Sequence, residues 1–155
     1  APTDIAQGLA DTVAILAGRA REKSVAVRIS VPPDLPQVSA IGDELNQVWS
    51  NLTENAIDAV REGGSVEISA EREGASIAVR VIDNGPGIPP EIQSRIFDVF
   101  FTTKPIGQGT GLGLDLARRI VLAHQGSIAV DTRAGRTEFR VLIPASSPAT
   151  ASDLS

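Results

Sequence analysis

The sequence predicts an α/β sandwich of the α+β kind, a mixed, mainly antiparallel sheet of about five strands covered on one face by three main helices. Three observations predict it. Segments with apolar residues at three- and four-residue steps are interspersed with segments of strict two-residue alternation, the signatures of amphipathic helices and half-buried strands. The alternating segments come largely in neighbouring pairs joined by short glycine turns, which favours antiparallel pairing. At 155 residues, 42% apolar and 21% charged, the chain is long enough for a single core and too apolar to stay disordered.

From Asp4 to Glu22, Ile5, Leu9, Val13, Leu16 and Ala20 form one apolar stripe, a first helix. Val25 to Val31 alternates and stops at Pro32-Pro33, a half-buried strand, and Gln37 to Ile41 suggests a short second one. A second helix is expected from about Asp43 to Arg61, with Leu45, Val48, Leu52, Ala56 and Ala59 on its buried side and Gly63-Gly64 ending it. Ser65 to Arg72 and Ala75 to Ile82 should pair as a hairpin about Gly74. The texture then changes to a turn-rich Asp83-Asn-Gly-Pro-Gly-Ile-Pro-Pro, after which Pro90 opens a short helix, Glu91 to Arg95. A long loop from Asp98 to Gly109, of a length that is usually functional or mobile, delays a third helix, Gly111 to Ala123, with Gly126 as the glycine past its C-terminus. Ser127 to Thr132 and Thr137 to Ile143 complete the strands. Residues 1–144 form the expected domain, and 145–155, small and polar, a flexible tail.

Composition excludes several functions. Lys and Arg number 14 against 19 Asp and Glu, so the net charge of −5 gives no bulk attraction to a phosphate polymer, and nucleic acid is not an expected partner. Without cysteine and with one histidine, the chain has no thiolate or multi-histidine metal site. Its apolar runs are far shorter than the ~20 residues a spanning helix needs, so direct membrane contact is not expected. The opening Ala1-Pro2-Thr3-Asp4 has neither an initiating methionine nor a signal-peptide pattern, as expected of a fragment excised from something larger, monomeric by itself.

Four segments carry polar groups in patterns that suggest chemistry. Gln47, Asn51, Asn55 and Asp58 follow one another at four-, four- and three-residue steps, a polar stripe on the second helix. Asparagine is a weak helix former, so the pair is either part of a solvated face or retained for its amide oxygens, neutral hard ligands that suit Mg²⁺ beside phosphate. Asp83-Asn84-Gly85-Pro86-Gly87 is either a plain loop or a pocket, in which a carboxylate at a strand end accepts from the amine of adenine and glycines admit backbone close to the ring. Gly107, Gly109, Gly111 and Gly113, at two-residue spacing before an apolar helix, make either a hinge or a phosphate cradle of free N–H groups, with Lys104 the nearest cation. The spacing is neither a dinucleotide fingerprint nor a Walker loop. Phe97, Phe100 and Phe101, three of the chain's four phenylalanines, are either core or the anchor of a lid carrying Lys104.

In this order the four segments resemble the catalytic, ATP-binding domain of sensor histidine kinases, within the larger group sharing the ATP fold of gyrase, Hsp90 and MutL, the Bergerat type. The resemblance runs from about Ala40 to Ser127. Asn51-Leu-Thr-Glu-Asn55-Ala56 is similar to the N box and Asp83-Asn84-Gly85-Pro86-Gly87-Ile88 to the G1 box. Ile96 to Lys104, with Phe97, Thr102 and Thr103, resembles the F box, and Gly109-Thr110-Gly111-Leu112-Gly113-Leu114 the G2 box. The resemblance implies ATP and Mg²⁺ as cofactors, with Asn55 ligating the metal, Asn51 assisting, Asp83 reading the adenine amine, and Gly85, Gly87 and Ile88 shaping the base pocket. It implies Lys104 and the backbone from Gly109 to Gly113 on the β- and γ-phosphates. Asp58 departs from the pattern: many members carry a lysine there, and Arg61, one turn on, is the available substitute.

The hydrolysing relatives carry a glutamate as general base where this chain has Asn51, which cannot take a proton at neutral pH; Glu54 is the remaining carboxylate beside Asn55. The implied reaction is therefore transfer of the γ-phosphoryl group to a histidine on a separate dimerisation domain, with a response regulator downstream, in the cytoplasm, even where the parent protein is membrane-bound. His124 lies at a helix end before Gln125, where its expected role is structural, so the acceptor must come from elsewhere. Two other readings compete with the histidine kinase: a serine kinase of the anti-sigma type and a non-catalytic ATP sensor.

Overall fold

The structure, a computed structural model, describes residues 2–98 and 113–145. Its elements are β1 (Pro2–Thr3), α1 (Ile5–Glu22), β2 (Ala26–Ser30), β3 (Val38–Ser39), α2 (Gly42–Ala59), β4 (Ser65–Glu73), β5 (Ser76–Asp83), α3 (Pro90–Gln93), α4 (Gly113–Ala123), β6 (Ser127–Arg133) and β7 (Arg136–Pro144). Five strands form one sheet in the order β2-β4-β5-β7-β6. Its pairs are antiparallel except β2 beside β4, which are joined through the α2 crossover. With α1, α2 and α4 packed together over one face, the expected sandwich is the observed fold. Not expected was a second, two-stranded sheet in which Pro2 and Thr3 pair antiparallel with Ser39 and Val38, elements too short to show any alternation.

Alternation decides which face the helices cover. Val66, Ile68 and Ala70 of β4, Ile77, Val79 and Val81 of β5, and Phe139, Val141 and Ile143 of β7 are buried beneath them. The opposite face is held by charge. Arg80 reaches Glu71 at 2.9 Å, Glu73 at 3.3 Å and Glu138 at 3.4 Å. Arg80 and Arg140 stand directly opposite in register, and Glu73, bonded to both, relieves the repulsion between them.

The α2 helix lies between α1 and α4, and its buried arc is wider than one stripe. Leu45, Val48, Leu52 and Ala56 are buried as expected, but so are Trp49 and Ile57, whereas Ala59 is exposed. The helix is also shorter than expected: Val60 is already extended, so Arg61 does not continue its polar face. Lys23 Nζ donates to the carbonyls of Ile57 at 3.0 Å and Asp58 at 2.9 Å, placing a cation on the negative end of α2.

The ends of α1 and α4 share one geometry. Ser24 (φ 57°) and Gln125 (φ 60°) are left-handed. Val25 donates to Ala20 at 2.8 Å and Ser24 to Arg21 at 3.0 Å, while Gly126 donates to Val121 at 2.9 Å and Gln125 to Leu122 at 3.0 Å. The left-handed position after α4 is thus Gln125 and not Gly126. Gly126 is required by space, since a Cβ there would overlap the carbonyl oxygen of Leu142 in β7. Ala145, assigned to the tail, still donates to Ala75 at 2.8 Å; the rest of the tail lies outside the described residues.

Replacing Gln125 by Gly removes a left-handed strain of about 1–2 kcal/mol but frees the unfolded chain by about 0.4–1 kcal/mol, so Gln125→Gly should stabilise by roughly 0.5–1 kcal/mol. Gly126→Ala should instead destabilise by about 1–3 kcal/mol through overpacking. Denaturant unfolding of the two variants checks both signs; destabilisation by Gln125→Gly would overturn the assignment.

Candidate functional site

At the end of β5, Asp83 is only 3% exposed. Its Oδ1 accepts the Gly85 N–H at 2.9 Å, and its Oδ2 has no hydrogen-bond partner among the described residues. Burial pushes this carboxyl up from its ordinary value, and the Gly85 N–H pulls it partly back. The result is a desolvated acceptor with one oxygen uncommitted among the described residues.

The turn after Asp83 is pinned from both sides. Asn84 Oδ1 accepts the Ser65 N–H at 2.9 Å. Ile88 N–H donates to Thr132 Oγ1 at 2.9 Å, and that hydroxyl shares a 2.8 Å hydrogen bond with Thr137 Oγ1. A Cβ on Gly85 would lie 2.9 Å from both the Ala59 carbonyl oxygen and Asp83 Oδ1, so the turn fits under the end of α2 only as glycine. Gly87 has φ +91°, and a Cβ there would lie 2.5 Å from the Arg133 carbonyl oxygen. Thr132, Thr137 and Asn84 were not among the expected site residues. Thr137 stands opposite Asp83 in the β5–β7 register, a neighbour visible only once the strand order is known.

The polar stripe of α2 is divided between its two flanking helices. Gln47 Nε2 donates to Asn51 Oδ1 at 2.7 Å, and Asn51 Nδ2 donates to the Gly113 carbonyl at 2.9 Å. Asn51 therefore ties α2 to the first residue of α4, where the glycine-rich segment ends. On the other flank, Arg19 of α1 holds Glu54 at 2.8 Å and donates to both oxygens of Asp58, at 3.0 and 3.3 Å. Asn55, half-buried, makes no hydrogen bond to the described residues. The structure thus draws Asn51 towards α4 and Asp58 towards α1, and leaves the Asn55 amide uncommitted among the described residues.

Phe97 is half-buried and meets Phe139 of β7 edge-on, ring centroids 6.2 Å apart at 89°. Thr102, Thr103, Lys104, Gly109, Thr110, Gly111 and Leu112 lie outside the described residues. His124 joins α4 to the entry of α2: Nε2 accepts the Ile41 N–H at 3.2 Å, so Nδ1 carries the proton and donates to the Ile120 carbonyl at 2.8 Å. Among the described residues no three His, Cys, Asp or Glu side chains gather where they could hold a metal. A neutral amide such as Asn55 nonetheless suits Mg²⁺, which takes few protein ligands and completes its shell with phosphate and water. The donor set fits a magnesium nucleotide.

This fold and this site define a class of ATP-binding domain. The family model for histidine kinase-, DNA gyrase B-, and HSP90-like ATPases matches residues 40–147, and the chain belongs to that family. Within it the likeness is to histidine kinases. The sensory histidine kinase/phosphatase NtrB of Rhizobium leguminosarum bv. phaseoli is 38% identical over 94% of this chain and 42% of its own length, so the chain spans about two fifths of that relative. The nucleotide-free catalytic domain of histidine kinase ThkA superposes with a TM-score of 0.85 at 31% identity, covering 94% of this chain and 95% of that one. Full-length ShkA in complex with AMPPNP also gives 0.85 at 31% identity, over 96% of this chain and 32% of that one. This is the fold of a histidine kinase catalytic domain, as the resemblance implied.

Because burial raises the carboxyl of Asp83, its ionised form opposes folding. That opposition is absent below the ordinary aspartate range, grows as pH rises through the raised folded value, and is complete above it. Asp83→Asn keeps an oxygen for the Gly85 N–H and removes the charge, so the variant should melt higher than the natural chain at neutral pH. The gap should close on acidification. Melting curves across pH check this, and a lower midpoint for Asp83→Asn at neutral pH would contradict it.

Proposed function

We propose that this domain binds Mg·ATP and transfers the γ-phosphoryl group to a histidine on a separate helical dimerisation domain, as a module of two-component signalling with a response regulator downstream. The observation that carries the reading is the open Oδ2 of Asp83 at the floor of a pinned glycine turn. A desolvated carboxylate oxygen is an acceptor for an N–H donor, and the exocyclic amine of adenine is one. Gly85, Gly87 and Ile88 would form the wall of the base pocket.

Asn55 offers the amide oxygen for magnesium, and Asn51 assists by holding α2 against Gly113, the last glycine of the phosphate segment. Magnesium, when bound, neutralises charge on the β- and γ-phosphates. Lys104 and the N–H groups from Gly109 to Gly113 take the phosphate oxygens, and Phe97, seated on Phe139, anchors the near end of the segment that carries Thr102, Thr103 and Lys104. Asp58 stays on Arg19 and outside the phosphate site, and Arg61, beyond the end of α2, does not replace the absent lysine.

The same geometry supports transfer rather than hydrolysis. Asn51 is no base, and Glu54 and Asp58, the two carboxylates that flank Asn55, are both engaged by Arg19, which disfavours either as an activator of water. Both ring nitrogens of His124 are occupied within the fold, which leaves the acceptor to another domain. Among the described residues no helix is long and apolar enough to cross a membrane; the cytoplasm, which supplies ATP, is the compartment this reading expects.

Calorimetry with Mg·ATP should show saturable binding. Asp83→Asn should weaken it by about 10- to 100-fold, the worth of a hydrogen bond to a charged group. Asn55→Ala should abolish the dependence of affinity on Mg²⁺. With γ-labelled ATP and an added histidine-bearing helical hairpin from a sensor kinase, label should appear on the hairpin, with little release of inorganic phosphate. Unchanged affinity in both variants would overturn the site; tight binding without label transfer would overturn the kinase.

A further inference from the structure

The pinned turn after β5 holds a residue pair with chemistry of its own. Of the chain's asparagines only Asn84 precedes a glycine, the neighbour that shields its own backbone nitrogen least because it has no Cβ. In such a pair, hydroxide takes the proton of the glycine N–H and the nitrogen attacks the asparagine Cγ. An N–C bond closes a succinimide ring, the Cγ–Nδ2 bond breaks, and the side-chain nitrogen leaves as ammonia with a proton from water. Water then opens the ring at either carbonyl, giving aspartate or, with the main chain rerouted through the side chain, isoaspartate. Asn84 is exposed, so water reaches it.

Both reacting groups are already engaged. Asn84 Oδ1 accepts the Ser65 N–H at 2.9 Å and Asn84 N–H donates to the Ser65 carbonyl at 3.3 Å, so the side chain is held against the start of β4. Gly85, buried, donates to Asp83 Oδ1 at 2.9 Å. For reaction, Cγ must swing off Ser65, and Gly85 must give up its proton beside a carboxylate, which repels the anionic nitrogen left behind. The hydrogen bond to the charged group is the stronger of the two.

We infer that Asn84–Gly85 is a latent modification site, a point of spontaneous deamidation and isomerisation that the folded turn keeps closed through these two hydrogen bonds, with Asp83 holding the stronger. Aspartate at this position keeps an oxygen for the Ser65 N–H. Isoaspartate lengthens the main chain ahead of Gly85, where there is no slack: even a Cβ on Gly85 would lie 2.9 Å from the Ala59 carbonyl oxygen and from Asp83 Oδ1. The Gly85 N–H is then carried off Asp83. Under the proposed function, and resting on it, the same step disables the adenine pocket; the closure itself needs no nucleotide.

The test incubates the natural chain, its Ser65→Pro and Asp83→Asn variants, and the natural chain unfolded in guanidinium chloride at mildly alkaline pH. Peptide mass spectrometry reads the rate at Asn84, and melting curves read the folding of each variant. Folded, the natural chain should react at least about 30-fold more slowly than unfolded, the combined worth of one neutral and one charged hydrogen bond. Ser65→Pro removes the donor to Asn84 at the first residue of β4, a position that tolerates proline, and should react about three- to tenfold faster than the natural fold. Asp83→Asn should react about five- to tenfold faster although it melts higher, so its rate reports the local contact and not unfolding. The isoaspartyl product should melt below the natural chain. Equal rates folded and unfolded would overturn the inference, as would an unchanged rate in a folded Ser65→Pro or an isoaspartyl product that melts as the natural chain does. An unchanged or slower rate in Asp83→Asn, the sign expected of Asp83 acting as the base, would overturn it too. No readout involves nucleotide, so success or failure here is independent of the proposed kinase.

Discussion

The position of α2 governs everything at the site, and two polar contacts on opposite flanks set it. Its apolar residues touch α1, α4 and the sheet at once, an arrangement that fixes the axis but would tolerate small rotations of the polar face. Arg19 removes that freedom on one side by holding Glu54 and Asp58, and Asn51 removes it on the other by donating to Gly113. Lys23 closes the end of the helix. Among the described residues, what remains unclaimed is the Asn55 amide. A stripe that looks uniform in sequence is therefore divided: Asp58 is spent on α1, Gln47 and Asn51 are spent on the contact to α4, and Asn55 makes no hydrogen bond to the described residues.

The same sorting is visible at the end of β5. Burying a carboxylate opposes folding, and a single N–H from Gly85 offsets part of that cost. The turn does not relax outward to hydrate it, because Asn84 holds β4, Ile88 holds Thr132, and two glycines sit against backbone with no space for a Cβ. Strain of this kind persists only where the surroundings over-determine it. The shape of the turn is thus secured by residues outside it, chiefly Thr132 and, through it, Thr137.

How much of this was legible in the sequence follows from the range of the interactions. Helices and strands came through to within a few residues because periodicity is local, and Asp83, Gly85 and Gly87 could be singled out because turn chemistry is local too. The failures are non-local. Ala59 was expected inside and Trp49 was not placed there, because one stripe cannot say that a helix is covered on two flanks. The β1–β3 pair is too short to have a pattern, and Thr137 gains its meaning only from standing opposite Asp83. Gly126 was expected as the glycine past the end of α4, where glycine is the usual left-handed residue. The structure puts Gln125 in that turn and uses Gly126 for close approach to β7.

Under the proposed function, the distribution of carboxylates separates this domain from a hydrolase by geometry as well as by residue type. A glutamate next to a metal-binding asparagine is a potential base, and in Glu54 the chain carries one. Its position on the helix, however, turns it towards α1, where a guanidinium at 2.8 Å competes for it. Freed from Arg19, it would gain rotamers that lead back over the polar face. Arg19, remote from any expected motif, then has a part in reaction choice: by neutralising Glu54 and Asp58 together, it keeps negative charge and a proton acceptor away from the γ-phosphate, so that the nucleophile must be brought by another domain.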